Sequence, residues 1–249
     1  MPFRVQLKRM SSLDNPRDHA VQNMFDRIAG RYDLLNRVIS FRLDREWRNT
    51  AIRAVLKDGS RLILDLGAGT GDLTFAAARA IQGDGRIVGL DISLPMLRLA
   101  TAKRERLSNG RRIYFIQGCA MLPPFKASVF DGVMTAFVLR NVSDLALLFA
   151  DAFRVLKPGG RIVCLDMFPP PKSWFSLLYS IYFYRLVPWL GGLLAHDRRA
   201  YEYLSESVQH FIPPETVAAL IEQAGFPQVT IRKFLHGAVC MHVAEKPNA

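Results

Sequence analysis

The chain has 249 residues, which is long enough for one large α/β domain with a buried core, although two small domains remain open. Half of the residues are hydrophobic, and this content excludes a disordered chain. The formal net charge of +11 favours anionic surfaces, either nucleic acid or acidic lipid headgroups.

Two features predict an intracellular protein. Cys119, Cys164 and Cys240 lie far apart, without a Cys-x-x-Cys pair or a nearby histidine cluster. We therefore expect reduced packing residues, and neither disulfides nor a metal site. Residues 1–15 are basic but lack the apolar stretch of a secretory signal. A cytoplasmic location is expected, with attachment to the inner face of the cell membrane left open.

Hydrophobic residues recur at helical spacing near the N-terminus, first between Val21 and Ile28, with Asp18 as the predicted N-cap, and then over residues 44–55. Short apolar runs and amphipathic stretches alternate after that. They predict strands at 61–66, 86–90, 113–117, 130–135, 161–165, 228–234 and 238–244, and helices at 73–81, 95–107, 143–156 and 214–224.

This alternation predicts an α/β fold with a Rossmann-like, doubly wound, mostly parallel seven-stranded sheet that ends in a hairpin-like pair. Lys157-Pro158-Gly159-Gly160 is predicted to stop a helix and turn into the fifth strand. We expect a single domain over residues 1–249. Its N-terminal helices, at about 16–57, and a helical insertion, at about 168–212, would form a cap over the carboxyl edge of the sheet.

The segment from Trp174 to Leu194 contains one charged residue, Arg185. A membrane-spanning helix needs about 20 apolar residues, but a mid-span Arg is unfavourable by about 2.5 kcal/mol or more, and Pro188 interrupts the helical hydrogen bonds. We therefore predict a lid or an interfacial helix in preference to a span.

A glycine loop follows the first predicted strand. Gly67, Gly69 and Gly71 allow close approach of the backbone to a ligand and positive φ angles. The dinucleotide fingerprint requires a third glycine where this chain has Asp72. A carboxylate there would repel a pyrophosphate and would attract a cationic or amino-bearing ligand. S-Adenosylmethionine fits, because it carries a sulfonium and an α-amino group but no phosphate.

Asp91 ends the next predicted strand. An acidic residue at this position can accept hydrogen bonds from both ribose hydroxyls, which excludes a 2′-phosphate and fits an adenosyl group. The alternative is that Asp91 only caps the helix beginning near Leu94. An NAD-dependent reductase remains a minor alternative for the whole site.

With these motifs in place, residues from about 20 to 244 resemble the ubiquinone/menaquinone biosynthesis C-methyltransferase family, a class I S-adenosylmethionine-dependent group. The Tyr-Asp-x-x-Asn and Leu-Arg-Asn-Val segments are the most specific part of the resemblance. The matching pieces are Met24-Phe25-Asp26, Tyr32-Asp33-Leu34-Leu35-Asn36, Ser40-Phe41, Trp47, the loop at 65–72, Leu139-Arg140-Asn141-Val142, the segment 154–160, Tyr201, Tyr203-Leu204 and Ser207.

The resemblance implies methyl transfer to a ring carbon of a polyprenylated quinol. Together with the loop and Asp91 argued above, it places donor binding at Asp65, Gly67, Gly69, Thr70, Gly71, Asp91, Cys119, Ala120 and Ala136. Cys119 replaces the usual Asp or Asn beside the adenine, and a thiol is a weak hydrogen-bonding partner. Ala136 and Val138 replace a serine and a glycine near the donor, which narrows the pocket and leaves the exact acceptor open.

A ring carbon becomes nucleophilic in the reduced, preferably deprotonated quinol, so the site must stabilise a phenolate. Arg140 is the candidate, because a guanidinium can stabilise a developing oxyanion and the resemblance places it in the catalytic centre. The alternative is that Arg140 pairs with a carboxylate and holds the loop after the fourth strand.

Candidates for passing the proton to solvent are Tyr32, Asp33, His196 and Asp197, of which His196 has the most suitable unperturbed pKa. Each also has a purely structural interpretation. Tyr32 can pack beneath the cap, Asp33 can pair with a surface Arg, and a lone His is more often structural.

A nucleic-acid or protein methyltransferase is the main enzymatic alternative at this net charge. The strand ending at Thr135 leads into Ala136-Phe137, however, and not into an Asn/Asp-Pro-Pro-aromatic turn, so no nucleic-acid partner is expected. The expected partners are a polyprenyl quinol and an anionic membrane, toward which the segment Trp174 to Leu194 would turn; its aromatics could instead complete the core. A homodimer and a non-catalytic donor-binding scaffold remain open.

Overall fold

The computed structural model describes residues 15–171, 182–183 and 198–248. Within them, seven strands form one sheet in the order β3-β2-β1-β4-β5-β7-β6, in which β7 alone is antiparallel to its neighbours. The strands are β1 (Leu62–Leu66), β2 (Arg86–Asp91), β3 (Ile113–Gln117), β4 (Phe130–Ala136), β5 (Leu156–Met167), β6 (Val229–Phe234) and β7 (Val239–Glu245). The helices are α1 (Pro16–Ile39), α2 (Asp44–Val55), α3 (Asp72–Ala80), α4 (Leu94–Glu105), α5 (Leu145–Val155), α6 (Arg198–Gln209) and α7 (Pro214–Gln223). The predicted doubly wound, mostly parallel sheet is confirmed.

Both faces of the sheet are covered by helices, as apolar parallel strands require. On one face, Leu64 and Leu66 pack with Phe149 of α5 and with residues of α7. On the other face, Ile63 packs with Val55 of α2 and with residues of α3. The chain winds from β1 outward to β3 and then returns to β4 beside β1. The carboxyl ends of β1 and β4 therefore form the switch point at which open α/β sheets bind ligands.

Helix α1 lies over this edge of the sheet. Gln22 donates a side-chain hydrogen bond to the carbonyl of Ile92 (3.2 Å), and Asp26 accepts one from the hydroxyl of Ser93 (2.5 Å). The carboxyl-terminal half of α2, in contrast, packs into the core, where Val55 is fully buried. The two N-terminal helices thus differ: α1 covers the edge, and α2 supports one face of the sheet.

The predicted N-cap, Asp18, is wrong, because α1 already begins at Pro16. Proline is favoured in the first helical turn, because the N–H that it lacks would have no acceptor within the helix. The side chain of Asn15 accepts a hydrogen bond from the backbone of Arg17 (2.9 Å). Asp18 instead accepts a hydrogen bond from the hydroxyl of Ser143 (2.7 Å), which ties α1 to the chain before α5.

The helix ends before Lys157-Pro158-Gly159-Gly160 as predicted, at Val155, but the predicted start of the strand at Arg161 is wrong, because β5 begins at Leu156 and includes these residues. Gly159 donates a backbone hydrogen bond to Lys246 (2.9 Å), and Lys246 donates one to Gly160 (2.8 Å). The register with β4 shifts between Phe130 and Gly132. The end of the chain therefore draws the tetrapeptide into the sheet as an irregular first part of the strand.

Among the described residues, no helix combines the length and the apolar character that crossing a bilayer requires. The segment from Trp174 to Leu194 lies outside them, except for Tyr182 and Phe183. The hydroxyl of Tyr182 donates to the carbonyl of Ile39 (2.8 Å), and Phe183 is buried. Both residues pack in a small hydrophobic cluster with Ile39 at the end of α1.

Candidate active site

The glycine loop after β1 has the backbone conformation that its sequence predicts, with φ angles of 74°, 55° and 89° at Gly67, Gly69 and Gly71. Residues with a Cβ rarely adopt such angles. A Cβ on Gly67 would lie 2.3 Å from a methyl carbon of Val138. Val138 therefore packs directly against the loop and leaves room at position 67 for glycine alone.

Asp91 connects this loop to the end of β2. One carboxylate oxygen accepts a hydrogen bond from the backbone of Gly69 (2.7 Å), and the other accepts one from the backbone of Ser93 (2.8 Å). Burial raises the pKa of Asp91, and these two hydrogen bonds oppose that increase. The N-cap of α4 is Ser93, whose hydroxyl accepts from Met96. Asp91 therefore holds the glycine loop and does not cap the helix.

A cavity, which we call the donor cavity, lies between the loop, β2, β4 and α1. Its wall contains several of the residues predicted to bind the donor, together with Tyr32: Gly67, Gly69, Asp91, Cys119, Ala120 and Ala136. The described residues of this wall include the carboxylates of Asp18 and Asp91 but no Lys or Arg. Such a wall suits a cationic ligand and disfavours a pyrophosphate.

Asp65 lies beneath the loop and is 1 % exposed. One carboxylate oxygen accepts a hydrogen bond from the hydroxyl of Thr74 (2.5 Å), and the other has no partner among the described residues. Burial raises the pKa of Asp65 to about 7, against the opposing influence of the Thr74 hydrogen bond and the positive charge of Arg48. A buried carboxylate with an unpaired oxygen fits a site that receives a cation.

Three residues predicted around the loop lie outside the donor cavity. Thr70 is buried and donates to Asp33 (2.5 Å), and Asp33 also pairs with Lys103 (2.5 Å). Asp72, the first residue of α3, lies 3.4 Å from the same Lys103 amine and is not part of the described wall of the donor cavity. Gly71 is the N-cap of α3, where a Cβ would lie 2.6 Å from the ring of Phe75. These residues shape the loop. Asp33 makes an ion pair, as its structural interpretation expected, but the partner is a lysine and not an arginine.

A second cavity, which we call the acceptor cavity, has a volume of about 300 Å³. Tyr32 and Phe137 line both cavities and therefore stand where the two meet. The remaining wall of the acceptor cavity is mostly apolar. It includes Ile39, Phe41, Leu43, Trp47, Met167, Phe183, Leu204, Leu235 and Val239.

Arg140 also lines the acceptor cavity and is 6 % exposed. Its guanidinium donates to the carboxylate of Asp166 (2.5 Å), which is fully buried at the end of β5. The Nε of Arg140 has no hydrogen-bond partner among the described residues. The ion pair that the structural interpretation requires is therefore present, and Arg140 also reaches the cavity. His196 and Asp197 lie outside the described residues.

The sequence interpretation did not include Asp166 or Arg48. A signal for Asp166 was present, since an aspartate in the apolar run Cys164-Leu165-Asp166-Met167 needs a partner. Arg48 follows Trp47 in a helix with basic residues on several sides, so its burial could not be distinguished from the exposure of Arg45. Both residues become evident only through contacts between distant parts of the chain.

Comparison with known proteins agrees with this geometry. The ubiE/COQ5 methyltransferase family matches residues 12–246. A demethylmenaquinone methyltransferase of Thermus thermophilus is 42 % identical over 224 residues, which cover 90 % of this chain and 100 % of the relative. One of Lactiplantibacillus plantarum is 39 % identical over 228 residues, covering 92 % of this chain and 96 % of the relative.

Solved structures of low identity share the fold. A SAM-dependent methyltransferase of Thermotoga maritima superposes with a TM-score of 0.61 at 18 % identity, over 90 % of this chain and 98 % of that chain. Phosphoethanolamine N-methyltransferase 2 of Haemonchus contortus, in complex with S-adenosyl-L-methionine, gives a TM-score of 0.58 at 17 % identity, over 81 % of this chain and 52 % of that chain.

The sheet order and the glycine loop define a class I S-adenosylmethionine-dependent methyltransferase. Within that class, the chain belongs to the ubiE/COQ5 methyltransferase family.

Asp91→Ala is expected to weaken donor binding by about 1.5 to 3 kcal/mol, the scale of a lost hydrogen bond to a charged group. It should also lower the melting temperature, because the backbone of Gly69 loses its acceptor. Asp91→Asn keeps one acceptor oxygen and should reduce stability less. Calorimetric titration with S-adenosylmethionine measures the effect, with Asp84→Ala, an exposed carboxylate before β2, as the matched control. Wild-type affinity in Asp91→Ala would remove this residue from the donor site.

Donor affinity should increase as the pH rises through about 7, since Asp65 becomes a carboxylate in that range and attracts the cationic donor. Binding near pH 6.5 should therefore release protons, by about one at most for this single group. Titration calorimetry in two buffers of different ionisation enthalpy measures the release, and Asp65→Asn should abolish it.

In the ligand-free protein, the same raised pKa means that the stabilising contribution of protonated Asp65 is lost as the pH rises through about 7. An unchanged pH dependence in Asp65→Asn would contradict this role.

Proposed function

We propose that this chain transfers the methyl group of S-adenosylmethionine to a ring carbon of a polyprenylated quinol, of the demethylmenaquinol type for which its relatives are named. The observation that carries the proposal is the apolar acceptor cavity, which meets the donor cavity at Tyr32 and Phe137. A planar aromatic acceptor with an apolar tail suits such a wall better than a polar substrate does.

On the donor side, we assign different tasks to the predicted residues. Gly67 and Gly69 let the backbone approach the donor, and Asp91 has the position to accept hydrogen bonds from ribose hydroxyls while it holds the loop. Ala120 and Ala136 supply small side chains to the wall. Burial raises the pKa of the Cys119 thiol, so it stays protonated at neutral pH and contributes a weak polar contact beside the adenine.

Asp65, Thr70 and Gly71 act from outside the donor wall. The buried charge of Asp65 acts on the donor through the loop, and Thr70 and Gly71 fix the conformation of the loop. When bound, the donor supplies an electrophilic methyl group on a sulfonium. The residues of the chain therefore have to hold the acceptor in line with that methyl group and keep water out.

On the acceptor side, the apolar wall excludes water from the reacting ring. Arg140 faces the acceptor and can stabilise an oxygen as it becomes negative, although Asp166 already neutralises much of its charge. Tyr32 lines both cavities and is placed to contact the ring at the point of transfer. His196 remains the sequence-based candidate for proton removal.

The proposed function is tested with purified protein, S-adenosylmethionine and chemically reduced demethylmenaquinone that carries a short prenyl chain. We expect a product heavier by one methyl group in place of hydrogen, detected by mass spectrometry. The oxidised quinone should give no product, because its ring carbon is not nucleophilic. In cells lacking this protein, a desmethyl quinone should accumulate. The proposal would be contradicted if RNA were methylated as fast as the reduced quinone, or if deletion left the cellular quinones unchanged.

We also propose that the acceptor cavity opens toward an anionic membrane surface, from which a prenylated substrate could enter. Phe41 lines the cavity and is 71 % exposed, and Leu43 and Leu235 are each 37 % exposed. Arg42 and Arg45 are exposed on the same turn and helix. An aromatic side chain flanked by cations is typical of proteins that bind at the membrane interface.

Binding to liposomes with anionic lipids is expected at low salt, and it should weaken as the salt concentration rises, because screening reduces the attraction of the arginines. Phe41→Ser should reduce binding about tenfold, the scale of one lost aromatic anchor of about 1.4 kcal/mol. Tyr114→Ser removes an exposed aromatic from β3, outside the acceptor cavity, and serves as control. Co-sedimentation measures both variants. Failure of the wild type to bind anionic liposomes at low salt, or equal loss in both variants, would contradict the proposed surface.

A further inference from the structure

Arg48 lies in the wall of the acceptor cavity, on the first half of α2. The residue is 9 % exposed, and its guanidinium carbon stands 5.0 Å from the centre of the Phe137 ring. Phe137 lines both cavities. The positive charge of Arg48 is therefore held against an aromatic face beside the point where donor and acceptor cavities meet.

Part of the hydrogen-bonding capacity of this arginine is not used by the described residues. Its Nε is buried and has no hydrogen-bond partner, and within the described ranges no hydrogen bond of its guanidinium occurs. The nearest carboxylate oxygen, on Asp44, lies 3.5 Å from that Nε. The other oxygen of Asp44 accepts from Ser40 (2.7 Å). A buried N–H without an acceptor is unfavourable, so an acceptor oxygen on a ligand in the cavity would complete the arrangement.

Arg140, on the other wall of the cavity, differs in this respect. It donates to Asp166 at 2.5 Å, and its backbone lies 3.4 Å from the same carboxylate. Since Asp166 is fully buried, its charge and that of Arg140 compensate each other. Both arginines have a buried Nε without a partner, but Arg140 makes a short ion pair with its carboxylate, whereas the ion pair of Arg48 with Asp44 is 3.5 Å long.

We propose that Arg48 binds a ring oxygen of the acceptor and stabilises its ionised form. The proposal rests on the proposed function, since it requires a phenolic acceptor in this cavity. When the acceptor ionises, its O–H bond breaks, the electron pair remains on oxygen and the proton passes to water. A cation beside that oxygen lowers the pKa of the phenol and so increases the fraction of nucleophilic acceptor.

Several other charged or titratable groups face this region and contribute to its electrostatics. They come from α1, from α2 itself, from β1, from the turn after β4 and from the polar surface on the outer side of α2. They are Tyr32, Arg37, Asp44, Arg45, Asp65, Asp72, Arg79, Lys103, Arg140 and Tyr182. Of these groups, Asp65 is directly coupled to Arg48, because the positive charge of Arg48 lowers its pKa.

The test uses Arg48→Met, which keeps an unbranched stem against Phe137, and Arg48→Lys, which keeps the charge. Arg53→Met removes an exposed charge from the other end of α2 as control. With reduced short-chain demethylmenaquinone, Arg48→Met should lower kcat about a hundredfold, the scale of a lost oxyanion donor. The acid limb of its pH–rate profile should move toward higher pH by about one unit or more. Arg48→Lys should restore most of the pH shift, and the melting temperature should stay near that of wild type. Because the charge of Arg48 also lowers the pKa of Asp65, the profile is measured in an Asp65→Asn background as well, where Arg48→Met should still move the acid limb.

Asp44→Asn provides a test of opposite sign. It removes the nearest negative charge from Arg48 but keeps an acceptor for Ser40. The proposal predicts that the acid limb moves toward lower pH, whereas a structural role for the pair predicts a lower melting temperature and an unmoved limb. If Arg48→Met does not fold, the direction of the shift in Asp44→Asn decides the question alone.

The outcomes separate the two levels of inference. A wild-type protein that does not methylate the reduced quinone overturns both the proposed function and the role of Arg48. A wild type that turns over, with Arg48→Met and Asp44→Asn at wild-type rate and pH profile, overturns the role of Arg48 alone. A lower rate in Arg48→Met with an unshifted pH profile also overturns it.

Discussion

The hydrogen bond from the backbone of Gly69 to Asp91 fixes the position of the loop on which the donor site depends. It works because β1 and β2 pair in parallel, with Leu66 beside Leu90, so the chain leaves β1 next to the end of β2. The carbonyl of Leu90 then accepts from both Gly67 (2.8 Å) and Ala68 (3.0 Å). The strand register therefore determines both the conformation of the loop and the position of the carboxylate of Asp91. Helix α1 closes the arrangement from above through its contacts to the loop and to the start of α4.

The two cavities differ in the sign of their charges. The described wall of the donor cavity has two carboxylates and no Lys or Arg, and Asp65 lies below it. The acceptor cavity has two guanidinium groups, of Arg48 and Arg140, and one carboxylate, of Asp44, in an otherwise mostly apolar wall. A cation on one side and an anion on the other are thus each stabilised by the protein, while their reaction removes both charges. An apolar surrounding favours such a loss of charge more than water does.

Much of the fold follows from local patterns in the sequence. Parallel strands buried on both faces give continuous apolar runs, and the glycines after β1 and the acid after β2 are adjacent to those runs. The misplaced details have causes that lie far along the chain. Lys157 to Gly160 belong to the sheet because Lys246, near the end of the chain, completes their hydrogen bonds. Likewise, Arg48 and Asp166 gain their importance from neighbours that no local pattern contains.

The backbone of Phe137 joins these parts into one site. Its φ of 65° is a strained conformation for an aromatic residue, and a hydrogen bond from its N–H to Leu165 (2.8 Å) holds it at the end of β4. Because the chain reverses there, the ring lies between the two cavities and beneath Arg48. The same reversal starts the short 3₁₀ turn at Leu139–Asn141, which brings Arg140 to Asp166 on the neighbouring strand. This strained residue therefore lies between the two cavities, leads into the turn that carries Arg140 and supplies the ring beside Arg48, so the acceptor side depends on β4 and β5 as closely as the donor side depends on β1 and β2.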